Sequence, residues 1–148
     1  RYRPAVPADA GTLRAWRNHP ATRAASMTTH EIAPGEHAAW LEAVIGDAQR
    51  ELLVVQRDEQ PIASVRFDRS GDEAEISIHV APDRQAAGAG TQAIREMTEL
   101  QLAARPQIKR IVATVSADNF RSRRAFEKAG YRPLDSPRPA WLRLQAVR

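Results

Sequence analysis

The chain has 148 residues, 43% of them hydrophobic and none of them cysteine; this suffices for one domain with a real core and excludes disulfides, thiolate metal sites and cysteine nucleophiles. No apolar run approaches membrane-spanning length and no charged-then-apolar leader opens the chain, so a soluble, cytoplasmic protein without a membrane partner is expected. Residues 105–148 carry 11 Lys+Arg against 3 Asp+Glu while the overall charge is +4, a basic end that reads either as an arginine-rich solvated surface or as a polyphosphate site; with 5% aromatics and no helix-turn-helix, finger or stacking signature, nucleic acid is not the expected partner.

In chain order, residues Tyr2 to Val6 predict a short strand, and Asp9 is a candidate N-cap for a helix carrying Leu13 and Trp16 and ending before Pro20. The polar run WRNHPATRAASMTTHEI has no strong period and reads as a long connection or broken helix whose groups could face a substrate, Arg17, Asn18, His30 and Glu31 among them. Pro34 opens a second helix with His37, Trp40, Leu41, Val44 and Ile45 at helical spacing, closed by Gly46; Trp40 reads as core. Strands over Glu51 to Gln56, Ile62 to Phe67 and Glu75 to Val80 form a meander. In the last of them Ile76, Ile78 and Val80 alternate with Glu75, Ser77 and His79, so one face is core and the other carries titratable groups.

That strand runs into VAPDRQAAGAGT, Val80 to Thr91, and then into a helix striped by Ile94, Met97, Leu100 and Ala104 that stops before Pro106. Small residues at Gln85-Ala86-Ala87-Gly88-Ala89-Gly90 let the backbone approach a ligand, and the first N–H groups of a helix have no intrahelical partner, a combination that suits an anion. A dinucleotide site fits the Gly88-x-Gly90-x-x-Ala93 spacing. It also needs an acid roughly 20 residues on and normally opens its domain, whereas Asp118 lies 30 residues from Gly88 and more than 80 residues precede the motif. No Gly-Lys-Ser/Thr and no Gly-x-Ser-x-Gly is present. A strand over Ile108 to Ser116, a helix begun by Asp118-Asn119 and capped by Gly130, and two strands, YRPL and AWLRLQAV, complete the chain. The order is strand, two helices, three-strand meander, helix, strand, helix, two strands, with no repeat or linker, hence one domain over 1–148.

The QAAGAG turn after a meander strand, followed about thirty residues later by Val115, Asn119, Ser122, Phe126, Gly130 and Tyr131, resembles the Gln/Arg-x-x-Gly-x-Gly/Ala and V…N..S…(Y/F)ek.G(F/Y) motifs of the GNAT family of acetyl-CoA-dependent N-acetyltransferases. The resemblance implies an α/β fold with a mixed central sheet of about six to seven strands flanked by about four helices. It implies acetyl-CoA as cosubstrate and no metal, with the amides of Gln85, Ala86, Ala87, Gly88, Ala89, Gly90 and Thr91 around the pyrophosphate. Pantetheine would lie in a splay between the strand ending at Val80 and the strand beginning near Ile111, an amide at the end of the former facing the acetyl carbonyl. Asn119 and Ser122 are the family positions for the cofactor arm, and Arg121, Arg123 and Arg124 are within reach of its phosphates.

Direct transfer needs a neutral amine and a route for two protons. His79 or Glu75, on the polar face of the strand beside the cofactor, is the expected base, with His30 and Glu31 next. Where many members carry a tyrosine acid the chain has Phe126, so Ser122, a water or the incoming ammonium would protonate the leaving thiolate. The family's acceptors bind over its first two helices. The run LRAWRNHPATRAAS with HEI and EHAAWLEAV resembles members that acetylate a nucleotide-linked 4-amino sugar, the pseudaminic-acid type; a similar WRN opening occurs in the ribosomal-protein N-terminal type. Arg17 and Arg23 favour an acceptor bearing phosphate or carboxylate over a polyamine. Protein N-termini and small-molecule amines remain alternatives, as does a module that binds acetyl-CoA without turnover, which Phe126 motivates. The AWLRLQAV strand is a candidate edge for a homodimer.

Overall fold

The computed structural model describes residues 1–20, 22, 30–84, 88–135 and 141–148. Seven strands form one sheet: β1 (Tyr2–Pro4), β2 (Arg50–Arg57), β3 (Gln60–Ser70), β4 (Glu73–Val80), β5 (Arg110–Ser116), β6 (Arg132–Leu134) and β7 (Trp141–Val147), in the spatial order β1-β2-β3-β4-β5-β7-β6. Among the described residues the α-helices are α1 (Ala10–Asn18), α2 (Pro34–Ile45), α3 (Ala89–Ala104) and α4 (Phe120–Lys128).

Period-2 alternation gives the sheet two different faces. Ala63, Val65, Phe67, Ala74, Ile76, Ile111, Ala113 and Val115 point to one side, where Ala89, Ala93, Ile94 and Met97 of α3 and Phe126 of α4 complete the larger core. On the other side Leu52 and Val54 meet Leu13 and Trp16 of α1 and Leu41 and Val44 of α2 in a smaller core. That second core covers only the β1–β2 end. Farther across the same face the strands present Ser64 and Arg66 of β3 and Ser77 and His79 of β4, and the apolar packing gives way to a cavity.

Two local expectations change. Asp9 occupies the N-cap position of α1, as expected, but its side chain makes no cap bond; it ends a short 3-10 turn over Pro7–Asp9, and its carboxylate accepts from the Val6 N–H at 2.8 Å and from both Arg3 Nη groups at 2.7 and 2.8 Å. The AWLRLQAV strand is not an edge: β7 pairs with β5 through Arg110↔Val147 to Ser116↔Trp141 and with β6 on its other side, so the sheet ends at β1 and β6. Most of the connection after α1, at 21 and 23–29, and the proline-rich stretch at 136–140 lie outside the described residues.

Candidate active site

β4 and β5 are the one parallel pair in the sheet, and their ladder is short. It runs from Glu73↔Arg110 to Ile76↔Ala113 and stops, although β4 continues to Val80 and β5 to Ser116. Beyond Ile76 the two strands therefore diverge, leaving a gap whose walls are strand edges. At its mouth α3 begins. Gly88 holds φ of 76°, a left-handed conformation that a side chain disfavours, and no side chain caps the helix. The amides of Ala89, Gly90 and Thr91 thus lead out of the helix end, with its positive dipole potential, toward the gap. Gly90 sits where a Cβ would come within 3.4 Å of Val80 Cγ2, so its missing side chain lets the first turn lie close to the end of β4.

On the opposite face, α1, α2, β3 and β4 enclose a cavity of about 400 Å³. His79 lines it opposite Ser64 in register, and Arg66 lines it opposite Ser77. From α1 and α2 come Arg17, His37 and Trp40, while His30 and Glu36, 3.5 Å apart, stand at an exposed rim. Arg66 is braced: its Nε donates to both Asp68 carboxylate oxygens at 3.1 and 3.2 Å, and its guanidinium lies 5.7 Å from the Trp40 ring centroid. Trp40 in turn packs against the His37 ring at 5.2 Å. His79 has its pKa lowered to about 4, first by burial and then by the charges of Arg17 and Arg66. His37 is lowered too, by burial and by Arg14 and Arg17. At neutral pH both imidazoles are uncharged, in a cavity whose inner charges are the guanidiniums of Arg17 and Arg66 and whose described carboxylate, Glu36, stands at the rim.

The candidate residues separate on this framework. His79 enters the cavity; Glu75 does not, lying four residues back along β4, ~13 Å at the strand's rise per residue, where it faces Asp68. The protein around the Glu75 carboxyl disfavours its charged form, and Asp68 and Glu73 add to this, so its pKa is raised despite Arg143 and Arg66. Arg17 and His30 line the cavity. The Asn18 amide is tied to the Ile32 backbone in both directions, donating to its carbonyl at 2.8 Å and accepting from its N–H at 2.7 Å, which anchors the strand of chain entering α2. Glu31 is exposed and outside the lining.

Asn119 Oδ1 accepts from Ser122 N–H at 3.2 Å and so caps α4, and Ser122 is half-buried in the first turn. Arg123 pairs with Glu127 at 2.9 Å on the helix surface. Gln85, Ala86 and Ala87 lie outside the described residues. Phe126 is buried in the larger core, edge-on to Tyr131 at 5.0 Å, and the Tyr131 hydroxyl shares a 2.7 Å hydrogen bond with Thr98. Burial pushes the Tyr131 phenol well above its ordinary pKa. Neither ring is an acid for the gap. The sequence reading placed Ser77 on the polar face of its strand but missed Arg66, Ser64 and the cavity side of His37 and Trp40. A signal existed for the first two in the alternation of Ala63, Val65 and Phe67 with Ser64, Arg66 and Asp68; His37 and Trp40 were hidden because they share the spacing of the apolar stripe of α2.

A family model described as an acetyltransferase (GNAT) domain matches residues 1–132. No curated protein gives a significant match. Among solved structures, the aminoglycoside acetyltransferase AAC(6')-Ib, crystallised with coenzyme A and kanamycin, superposes with a TM-score of 0.83 at 18% identity over 99% of this chain and 94% of its own. The GNAT domain of S. lividans PAT gives 0.82 at 21% identity over 99% and 89%, and the ribosomal-protein-alanine N-acetyltransferase of Brucella melitensis 0.80 at 19% over 100% and 99%. These likenesses are of fold. Together with the family match over most of the chain, and with the glycine turn and the splayed β4–β5 pair, they lead to one conclusion: the chain belongs to the GNAT family of acetyltransferases.

Proposed function

We propose that residues 1–148 act as one domain that transfers an acetyl group from acetyl-CoA to a primary amine by direct attack. The observation that carries this reading is the gap opened where the β4–β5 ladder stops at Ile76–Ala113, bordered by the uncapped N-terminus of α3 on one side and the His79-lined cavity on the other. An extended pantetheine fits between two strand edges, and a pyrophosphate fits helix amides approached through Gly88 and Gly90. Bound acetyl-CoA supplies the activated carbonyl and a thiolate leaving group.

The acceptor amine enters from the α1–α2 side. Arg17 and Arg66 disfavour a second cation there as they disfavour protonated His79, so the amine is driven toward its neutral, nucleophilic form. A histidine with a pKa near 4 is too weak a base to strip an alkylammonium at equilibrium. Its task is to orient the amine and to take the proton as the new C–N bond makes that proton acidic, directly or through water. The end of β4 near Val80 is the expected donor to the developing oxyanion. Ser122 is the expected hydroxyl near the departing sulfur. A thiol pKa of about 8.5 asks little of an acid. Phe126, buried in the core, is not evidence against turnover.

For the acceptor we propose a nucleotide-linked 4-amino sugar, supported by the WRN-containing run of α1 and its continuation; protein N-termini and other small amines are the alternatives. Thiol release from acetyl-CoA is the test, with three pools: a nucleotide-linked amino sugar, peptides with free N-termini, and polyamines. The expected result is release driven by the first pool. Release driven by another reassigns the acceptor; cofactor binding with no release from any pool overturns the three acceptor classes and leaves either a different amine or a module that binds acetyl-CoA without turnover.

A further inference from the structure

We infer that the acceptor is an acidic amine, its carboxylate or phosphate held by Arg66 with Arg17 on the facing helix while the amine lies at His79. This deepens the proposed function and rests on it. The charge lining the cavity is one-sided. Arg17 and Arg66 meet a single carboxylate among the described lining residues, Glu36, which is exposed at the rim and already beside His30. A polycationic acceptor such as an aminoglycoside would bring several ammonium groups into a space whose one described carboxylate, Glu36, lies at the rim beside His30.

Arg66 has the geometry of a recognition group. Asp68 takes its Nε, and Trp40 lies beside its guanidinium; the remaining N–H groups are held in place at little entropic cost and make no hydrogen bond among the described residues. Asp68 also binds Arg50 at 3.1 Å, so its one carboxylate charge is shared between two guanidiniums and neither is fully neutralised. A second, independent feature points to a ligand. His37 is 3% exposed, lines the cavity, and its Nδ1 has no hydrogen-bond partner among the described residues. Leaving a buried nitrogen without a partner is unfavourable, and a polar group of the acceptor would supply one.

Register sets the scale. Ser64 opposes His79 and Arg66 opposes Ser77, so Arg66 leaves β3 two residues, ~7 Å, from the level of His79. The acid group and the reacting amine therefore lie within the one cavity, as in an amino acid, an aminoalkyl phosphate or a phosphorylated amino sugar.

The test is calorimetric titration of the coenzyme A-loaded protein with matched probes: an amino acid, its amide, an aminoalkyl phosphate and spermidine. An acidic probe is expected to bind at least about tenfold tighter than the amide, the worth of one charge-assisted hydrogen-bonding pair, and spermidine is expected to bind most weakly. Whichever acid binds tighter identifies the group, carboxylate or phosphate. In Arg66→Gln the ratio of acid to amide affinity should fall to near one, and Arg66→Lys should restore part of it. The inference is overturned if the amide or spermidine binds the parent as well as the acids do, a ranking that requires no variant to fold. It is also overturned if a folded Arg66→Gln keeps the preference. Thiol release with the same probes separates the two claims: acid-selective binding without release from any amine removes the transfer reading and leaves the acid-binding cavity standing.

Discussion

His79 is the residue on which chemistry and stability meet. Its pKa near 4 comes from burial beside two guanidiniums, so it is neutral wherever the enzyme works. A plot of kcat/KM against pH should therefore show no limb at the ordinary histidine value near 6.5; it should follow deprotonation of the acceptor amine instead. A limb at 6.5 that disappears in His79→Gln would assign the base to a solvated imidazole and contradict the geometry. In the same variant kcat should fall roughly 100-fold or more, the usual worth of a positioned base, with KM for acetyl-CoA little changed. The stability consequence has a definite sign. Because the folded-state pKa lies below the unfolded one, the unfolded chain binds the extra proton between pH 6.5 and about 4. The contribution is complete above that window and lost as pH falls through it. His37 acts in the same sense and Glu75, raised, in the opposite one. Comparing urea midpoints of the parent and His79→Gln at pH 7 and 4.5 isolates the term: the parent should lose more stability on acidification than the variant. His79 was legible in the sequence because strand alternation alone puts it on the polar face of β4. That the same alternation does not make Glu75 its partner follows from distance along the strand, which alternation does not report.

At the scale of elements, the helix boundaries that carry chemistry are set by single residues. Asn119 caps α4 through Ser122 N–H, and Gly130, with φ of 103°, ends the segment. Asn119→Ala should cost about 1 kcal/mol and lower Tm by roughly 2–4 °C, whereas Asn119→Asp, which keeps an acceptor oxygen, should recover most of it. If Asn119 also touches the cofactor arm, Asn119→Asp restores Tm without restoring KM for acetyl-CoA, so melting and steady-state kinetics together separate the cap from the contact. For α3 the decisive residue is Gly88. Gly88→Ala forces a Cβ into the left-handed region at a cost of about 1–2 kcal/mol and tilts the first-turn amides, so coenzyme A affinity should fall at least as steeply as stability. These boundaries were readable because caps and glycines are local chemistry, as were the meander and the apolar stripe of α3. What the sequence could not carry is lateral order. Nothing in AWLRLQAV says that β7 slots between β5 and β6, because strand propensity does not encode which neighbour lies on either side. Likewise the Asp9 carboxylate looked like a cap for α1 until Arg3, on the adjoining strand, was seen to hold it.

The whole molecule is two antiparallel blocks, β1 to β4 and β5 to β7, joined by a four-residue parallel ladder and by the helices laid across one face. That construction makes the gap a consequence of the topology: where the parallel ladder stops, two strand edges are left with no strand between them. It also leaves the two blocks joined within the sheet by four ladder positions alone, Glu73–Ile76 with Arg110–Ala113. A ligand running between the edges would act as a missing strand, and its effect should be local as well as global. Coenzyme A at 100 times its Kd should add about 2.7 kcal/mol to stability, raising Tm by roughly 5–10 °C. If the ligand bridges the blocks as proposed, amide hydrogen exchange should slow most at Ser77–Val80 and Thr114–Ser116, the residues past the end of the ladder, and at the first turn of α3. Exchange in the β1–β2 pair, far from the gap, should change only as much as global stability does. Protection confined to the start of α3, with the strand ends unchanged, would mean that the phosphates bind while the arm lies elsewhere, and the splay would then have to be explained by packing alone.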